Sequence, residues 1–335
     1  MRTANALLLA AILLWAVGAC ADPVKIRLSY VVPVGNWAPI LFEHPGLARH
    51  LGKSYSFEAV HFQGTPQMIT ALGAGELEIA DLAFSSFAIA VLNAGMTDLR
   101  VISDEFQDGV DGWFTNQDYV LKDSPIKTIE DLKGKVLTVN IAGAAVDIAL
   151  RSMLRKHNLD DKRDVTIVEA PFPAMPAMLM EHKVDLMTGA PPFIFDPKFQ
   201  AAARPLFSQR EAIGPTQMIL WAAHADFIAK HRAVLLDFME DALRAERWYL
   251  DPANHKEVVE IAARVSKAPA ALEERVFTKA GQNGDFYRDP NGLPNLAALQ
   301  SSIDEQHKLG LIAASLEVKQ YTDLSLVKEA ASRLK

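Results

Sequence analysis

One segment near the middle of the chain combines a short strand pattern, a glycine and a helix-forming run. Apolar and polar residues alternate over residues 136–141, Gly143 interrupts the pattern, and residues 144–150 are mostly strong helix formers. A glycine turn at this position leaves unpaired backbone N–H groups at the helix start, where the macrodipole adds partial positive charge. The pattern predicts a seat for an anionic group at Gly143, Ala144 and Ala145. The alternative is a strand, turn and helix without any ligand, which α/β proteins often contain.

Motifs of the common catalytic and metal-binding chemistries are missing from the sequence. It contains no G-x-S-x-G, no phosphate-binding loop, no H-E-x-x-H and no G-x-G-x-x-G. The nine histidines show no metal-ligand spacing, and the only cysteine, Cys20, leaves the rest of the chain without a thiolate nucleophile or a disulfide. We therefore expect a binding protein without cofactor or metal rather than an enzyme.

Length and charge narrow the classes of partner. The chain has 335 residues, which suggests two lobes rather than one core, and its 50% hydrophobic and 22% charged composition is that of a globular protein. A net charge of -7 without a basic block argues against nucleic acid as a partner. The acidity leaves an anionic ligand possible, because a local seat can attract an anion on an acidic protein.

The N-terminal residues have the pattern of a secretory signal. Residues 1–5 carry one arginine, residues 6–17 are apolar but too short to span a bilayer comfortably, and Gly18 and Ala19 follow. We predict a signal peptide at residues 1–21. Residues 17–20 also resemble a lipobox in which Cys20 is lipidated after cleavage, whereas Ala19 and Ala21 fit ordinary cleavage before residue 22. Both alternatives stay open, so the mature protein is expected to be exported and either free or tethered to the membrane through Cys20.

The elements that would position a site are short strands that alternate with helices. Strand patterns at residues 24–32, 54–62 and 79–83 are followed by helix patterns, including one at residues 45–51, which predicts mostly parallel sheets. Ligands of such sheets bind at the carboxyl ends of the strands. The candidate ligand-binding residues at these ends are Asn36, Trp37, Gln63, Gly64, Phe84, Ser85 and Ser86. The alternative is that Trp37 and Phe84 are core residues and that Ser85 and Ser86 only cap a helix.

Four segments carry a resemblance to a known family. Residues 123–135 (DSPIKTIEDLKGK) resemble the dS-x-I-x-(S/T)-x-x-DLKGK segment of periplasmic solute-binding proteins of the nitrate, sulfonate and taurine type of ABC importer. Residues 75–83 (GELEIADLA), 156–165 and 183–193 are similar to further segments of that family, which also has relatives that bind pyrimidine precursors. The resemblance runs from about residue 24 to about residue 248.

The resemblance implies a fold and a function. The fold would be the two-lobed type II periplasmic binding protein fold, an α/β fold in which each lobe is a mostly parallel sheet flanked by helices. Lobe 1 would comprise residues 22–115 and 216–335, lobe 2 would comprise residues 116–215, and a strand within residues 111–122 would cross between them. The ligand cleft would lie between the lobes, with Pro191 and Phe193 facing it from lobe 2.

The same resemblance implies the partners. The protein would be a periplasmic monomer that captures a small organic anion, such as an alkyl or aromatic sulfonate or carboxylate or a taurine-like molecule, and delivers it to the permease and ATPase subunits of an ABC importer. The alternatives are a binder of a pyrimidine or thiamine-precursor ligand and a periplasmic sensor without a transport role.

Two departures from the family pattern affect the predicted seat. Many relatives would place Ser or Thr where Ala144 and Ala145 stand, and Pro191 replaces an acidic residue that often precedes the proline. An anion would therefore depend chiefly on backbone N–H groups. The yeast-type pyrimidine synthases that share the implied fold need a Cys-rich motif, which this chain lacks.

Overall fold

The chain folds into two lobes of strands and flanking helices. A computed structural model describes residues 22–277 and 284–334. The predicted signal peptide at residues 1–21 and the predicted lipidation of Cys20 lie outside the described residues. Within those ranges, no helix combines the length and the apolarity needed to cross a membrane.

The strands and helices alternate along most of the chain. The strands are β1 (Val24–Tyr30), β2 (Tyr55–His61), β3 (Ala80–Ala83), β4 (Leu99–Asp108), β5 (Gln117–Leu121), β6 (Val136–Val139), β7 (Thr166–Glu169), β8 (Leu186–Thr188), β9 (Ala203–Ser208) and β10 (Thr216–His224). The helices are α1 (Thr65–Gly73), α2 (Phe84–Leu92), α3 (Ala145–Lys156), α4 (Met175–Met180), α5 (Pro197–Ala202), α6 (Gln209–Ile213), α7 (Ala225–Lys230), α8 (Arg232–Leu250), α9 (His255–Ser266), α10 (Ala270–Val276), α11 (Leu296–Lys308) and α12 (Ser325–Arg333).

The sheets are more mixed than the sequence pattern predicts. In the first lobe β1 and β2 are parallel, and β10 runs antiparallel between β3 and β4. The second lobe contains a five-stranded sheet in the order β7-β6-β8-β5-β9, in which β6 is parallel to β7 and β8 while β5 is antiparallel to β8 and β9. The antiparallel pairs arise at β5 and β10, because these two strands enter their sheets directly from the other lobe.

One prediction for the first lobe is wrong, and one of its strands was not predicted. Residues 45–51 form turns instead of a helix; Gly46 and Gly52, with φ of 88° and 76°, adopt left-handed conformations that a continuous helix does not allow. The strand pattern within residues 111–122 contains β5, as predicted, whereas the longer strand β4, which precedes it, was not predicted. The sequence did not predict β4 because its polar residues are buried together with its apolar ones. The sequence of this strand therefore lacks the alternation that is typical of a half-exposed strand.

Buried carboxyl groups flank the first crossing between the lobes. Asp108 accepts hydrogen bonds from the Thr115 hydroxyl and the Asn116 backbone N–H, and the Asp118 carboxyl accepts one from the Thr188 hydroxyl at 2.7 Å. Burial raises the pKa of Asp108 and of Asp118 to about 7, because the apolar surroundings disfavour the ionised form. The crossing is therefore held by carboxyl groups that change charge near neutral pH.

We predict that the Asp118→Asn variant has a flatter stability profile than the wild type between pH 5 and pH 8. A carboxyl whose folded pKa lies above its unfolded pKa stabilises the fold fully below the unfolded value, and this stabilisation is lost as the pH rises through the folded value. The asparagine keeps the shape and the acceptor oxygen but does not ionise, so the loss over this range should shrink by on the order of 2 kcal/mol.

Urea unfolding at half-unit pH steps measures this difference, with the exposed Asp123→Asn variant as the control. The control should follow the wild-type profile. If Asp118→Asn also follows the wild-type profile, the buried carboxyl does not titrate as described.

Candidate functional site

A cavity lies between the lobes, where chain segments that follow the strands converge. It encloses about 550 Å³ of empty space, including the part that opens to solvent. The wall on the first-lobe side includes Val31, Asn36, Thr65, Ala83, Phe106 and Phe286. The facing wall includes Asn116, Asn140, Ala144, Val146, Phe172 and Pro191. Because both lobes supply the wall, a molecule in this cavity would touch both.

The wall is mainly apolar and aromatic. The rings of Phe106 and Phe286 stack with centroids 4.5 Å apart, and Phe172, Met218 and Ile219 add further apolar surface. Of the described residues that line the cavity, none carries a charged side chain. The cavity therefore suits a ligand with a flat apolar body, and any charge on that ligand must be balanced by backbone groups.

Three helices begin at the cavity without a capping side chain. Thr65 opens α1, and the N-cap residues of α2 and α3 are Ala83 and Ala144; none of the three helices has a side-chain hydrogen bond at its N-cap. Several helices away from the cavity, such as α7 and α10, also lack a capping side chain, so what distinguishes these three helices is that their starts line the cavity. The N-terminal N–H groups of an α-helix have no intrahelical acceptor, so an uncapped start offers donors to an anion.

The start of α3 provides the clearest of these donor sets. Gly143 has a φ of 80°, which lets the chain turn sharply from β6 into the helix, and Ala144 is extended. The Asp147 carboxylate accepts the Gly143 N–H at 2.8 Å, and its charge is balanced by Arg151, whose Nε lies 2.8 Å away. The N–H groups of Ala145 and of the following residue remain for a ligand.

Asn36 lines the cavity, but its side-chain amide makes most of its hydrogen bonds within the protein. Its Oδ1 accepts the backbone N–H groups of Val31 and Val32 at 3.1 and 3.0 Å, and its Nδ2 donates to Asp81 at 2.6 Å. Asn36 therefore shapes the loop after β1 and offers a ligand at most one N–H.

A buried charged cluster supports the first-lobe wall from behind. Glu105 accepts the Trp37 backbone N–H at 2.7 Å and the Trp221 indole N–H at 3.0 Å, while Arg288 stacks over the Trp37 ring at 4.2 Å and donates to the Gly35 carbonyl at 2.7 Å. Burial, with the neighbouring Glu105 charge, raises the pKa of Asp81. Acidic groups thus lie behind the first-lobe wall, which leaves the start of α3 as the better place for an anion.

The two lobes also touch beside the cavity. The Ser85 hydroxyl donates to the Gly143 backbone carbonyl at 2.8 Å, and Gln63 Nε2 donates to the Asn140 backbone carbonyl at 3.1 Å. A Cβ atom on Gly64 would lie 2.2 Å from the Ile141 side chain, so this approach of the lobes requires glycine at position 64. The described arrangement is therefore one in which the lobes are closed against each other.

The structure divides the candidate residues into three groups. Those that line the cavity are Asn36, Ala144, Ala145 and Pro191. Those that join the lobes beside it are Gln63, Gly64, Ser85 and Gly143. The four that do neither are Trp37, Phe84, Ser86 and Phe193.

These four residues have other positions. Trp37 and Phe84 are core residues, exposed by 2% and 0%. Their positions match the alternative that these two aromatic residues belong to the core. The buried Ser86 hydroxyl pairs with Thr65 at 2.7 Å, and Phe193 begins a 3₁₀ turn after β8.

Sequence reasoning missed most of the aromatic and amide wall. Asn140 directly follows β6, but the sequence pattern extended the strand to residue 141, so the strand-end rule did not select Asn140. Phe106 was missed because β4 was not predicted, and Asn116 was missed because it directly precedes β5, whereas candidate residues were sought after strands. Phe286 gave no signal, because it lies in the long loop before α11 and reaches the cavity only through tertiary packing.

Comparison with solved structures shows that proteins of known function share this fold. The alkanesulfonate-binding protein SsuA from Xanthomonas axonopodis pv. citri, solved bound to MOPS, is 19% identical with a TM-score of 0.71, and the match covers 91% of this chain and 100% of that one. The nitrate-binding protein NrtA from Synechocystis PCC 6803 is 14% identical with a TM-score of 0.71, covering 93% and 89%. The desulfurization enzyme DszB, of which a variant was solved with biphenyl-2-sulfinic acid, is 14% identical with a TM-score of 0.64, covering 93% and 100%.

These likenesses establish the two-lobed fold of periplasmic binding proteins, and sequence comparison assigns the family. A search of curated protein sequences finds no match to this chain. The family model of the NMT1-like family, however, matches residues 20–263, which is most of the chain. The chain therefore belongs to the NMT1-like family.

Proposed function

We propose that the protein is the substrate-binding subunit of an ABC importer and that it captures a small organic anion between its lobes. The observation that carries this proposal is the cavity itself: helix starts without capping side chains face an apolar space that both lobes enclose. The lobe division proposed with it is residues 22–115 and 216–335 against residues 116–215.

The anionic part of the ligand would sit at the start of α3. The Ala145 N–H and the next N–H along the helix have no intrahelical acceptor, and Ala144 supplies no side chain to satisfy them. A sulfonate or carboxylate would accept these N–H groups and interact favourably with the helix dipole. Gly143 and Ala144 thus shape the turn, because their own N–H groups donate to Asp147 and to the Ile141 carbonyl. The donors to the anion are backbone groups further along the helix, which explains why alanines suffice there.

The apolar part of the ligand would fill the aromatic wall. Phe106, Phe172 and Phe286 offer flat surfaces that a bare inorganic anion could not use. A taurine-like ammonium group would meet no carboxylate among the described residues of the wall. Within the expected class, an aromatic sulfonate or carboxylate therefore fits better than nitrate or taurine. The biphenyl-2-sulfinic acid bound to a DszB variant supports an aromatic anion, and the MOPS bound to SsuA supports a sulfonate on an organic body.

Ligand binding would stabilise the closed arrangement of the lobes. A molecule in the cavity contacts both walls at once only when the lobes are closed, so binding shifts the population toward that state. The closed form would then dock on the permease. We propose a periplasmic location for the mature monomer, after removal of the signal peptide at residues 1–21, with Cys20 as a membrane tether if it is lipidated.

A binding role is preferred over catalysis. The described cavity wall carries no side chain with an ionisable acid, base or thiol, and Thr65, its hydroxyl-bearing residue, pairs with Ser86. No group of acidic, histidine or cysteine side chains among the described residues could hold a metal ion. We therefore propose a non-catalytic protein, although DszB shows that the fold can support an enzyme.

We predict that aromatic sulfonates stabilise the mature protein against heat. A ligand that binds only the folded state adds about 2.7 kcal/mol of stability at 100 times its dissociation constant, which is a clear rise of the unfolding midpoint. A thermal-shift series with benzenesulfonate, benzoate, taurine, nitrate and an aminopyrimidine measures this, with sodium chloride at equal ionic strength as the control. A shift with nitrate or taurine but not with the aromatic anions would contradict the proposed ligand class, and a shift with the pyrimidine alone would favour the pyrimidine-precursor alternative.

We predict that the Ala144→Asp variant loses affinity for the aromatic anion by at least about tenfold, equivalent to about 1.4 kcal/mol. The new carboxylate would cap α3, accept the N–H groups that the ligand needs and repel its charge. Ala144→Asn has the same shape without the charge, so it should lose less affinity. Titration calorimetry measures both.

The matched control is Pro269→Asp, which adds the same charge at the exposed, uncapped N-terminus of α10, where no residue lines the cavity. Its affinity should equal that of the wild type. If Ala144→Asp also binds like the wild type, the anion does not sit at the start of α3.

A further inference from the structure

We infer that the ligand carries, besides its anionic group, an O–H or N–H donor on its ring, which donates to Asn140, and that Asn140 and Asn116 select for it. This inference rests on the proposed function, because it concerns the same cavity. It goes further in naming a polar substituent and the residues that recognise it.

Asn140 is held in one orientation by the opposite lobe. It directly follows β6, lines the cavity and is 4% exposed. Its Nδ2 donates to the Gln63 backbone carbonyl at 3.3 Å. The backbone carbonyl of Asn140 in turn accepts a hydrogen bond from Gln63 Nε2 at 3.1 Å. Rotating the amide by 180° would turn Oδ1 toward the Gln63 carbonyl oxygen, and two acceptors would then face each other. The hydrogen bond to the Gln63 carbonyl therefore assigns Nδ2 to that contact and leaves Oδ1 as the other polar atom of the amide.

The remaining atom, Asn140 Oδ1, is enclosed and has no hydrogen-bond partner among the described residues. Buried polar atoms of folded proteins nearly always have a partner, because an unsatisfied acceptor loses its hydration without compensation. A partner from the cavity must be a donor, since an amide oxygen can only accept. The sulfonate or carboxylate that we place at α3 cannot serve, because an ionised acid has no proton to donate.

Asn116 supplies a second amide on the same side of the cavity. Its backbone is fixed, since its N–H donates to Asp108 at 2.8 Å and its carbonyl accepts the Gln209 N–H at 2.8 Å. Its side-chain amide makes no hydrogen bond within the described part of the chain, although the residue is only 4% exposed and lines the cavity. An O–H group, which both donates and accepts, could therefore engage Asn140 and Asn116 together.

The chain places the donor and the anion on the same wall. Asn140 ends the strand that leads into Gly143 and Ala144, so only a short turn separates the two proposed contacts. The aromatic side chains provide the rest of the space. The structure thus points to an aromatic anion that bears a hydroxyl or amino group, rather than to a plain aryl sulfonate.

The test compares benzenesulfonate with 2-, 3- and 4-hydroxybenzenesulfonate by titration calorimetry, in the wild type and in Asn140→Leu. For at least one isomer we expect the wild type to bind about tenfold more tightly than it binds benzenesulfonate. In Asn140→Leu this ratio should fall close to one. The loss of the bond between Asn140 Nδ2 and the Gln63 carbonyl weakens the binding of benzenesulfonate and of its hydroxyl derivatives alike, so it cancels in the ratio. The ratio reports recognition of the hydroxyl, which a purely structural role of Asn140 would not change.

Asn140→Ala, which cannot overfill the site, serves as the second variant if leucine disturbs the fold. The inference is overturned if every isomer binds the wild type no better than benzenesulfonate, which would mean that a water molecule satisfies Asn140, or if the preference survives in both variants. Failure of all four probes to bind would instead overturn the proposed ligand class, and this inference with it.

Discussion

The unsatisfied start of α3 is the constraint on which the proposed site depends. Ala144 stands where a helix would normally carry a capping side chain, so the first N–H groups of α3 face the cavity without an acceptor. Asp147, which could have taken this role, instead accepts the Gly143 N–H and is balanced by Arg151. An anion between the lobes would complete the helix, and its contacts with the other wall would hold the lobes together. Binding and closure are thereby the same event in this account.

The first lobe contributes shape rather than charge. Arg288 contacts this wall through the Phe106 ring, but it is buried between Trp37 and Phe106 and donates to Asp285 and Gly35. The carboxyl groups around it offset its charge. This buried cluster supports an aromatic surface that faces the cavity. Hydrogen bonds to the polar groups of the ligand would therefore come from the second lobe, and especially from the segment from Asn140 to Ala145.

The sequence allowed the α/β alternation, the turn at Gly143 and the two-lobed fold to be predicted, because local periodicity and family segments carry that information. The uncapped helix start at Ala144 and Ala145 was predictable for the same reason, since a strand, turn and helix are contiguous in the chain, and the anion seat there stays a prediction. The aromatic wall was not, because Phe106 lies on a strand whose buried polar residues hide its periodicity and Phe286 reaches the cavity from far along the chain. The aromatic candidate Trp37 proved to be buried, since a loop residue after a strand can pack inward as readily as toward a ligand.

A crystal structure of the mature protein with 4-bromobenzenesulfonate tests whether the anion sits at the start of α3, because anomalous scattering locates both the bromine and the sulfur. We predict sulfur at the N-terminus of α3, within hydrogen-bonding reach of the Ala145 N–H, and bromine among Phe106, Phe172 and Phe286. Sulfur on the first-lobe wall, or a ligand outside the interlobe cavity, would contradict it.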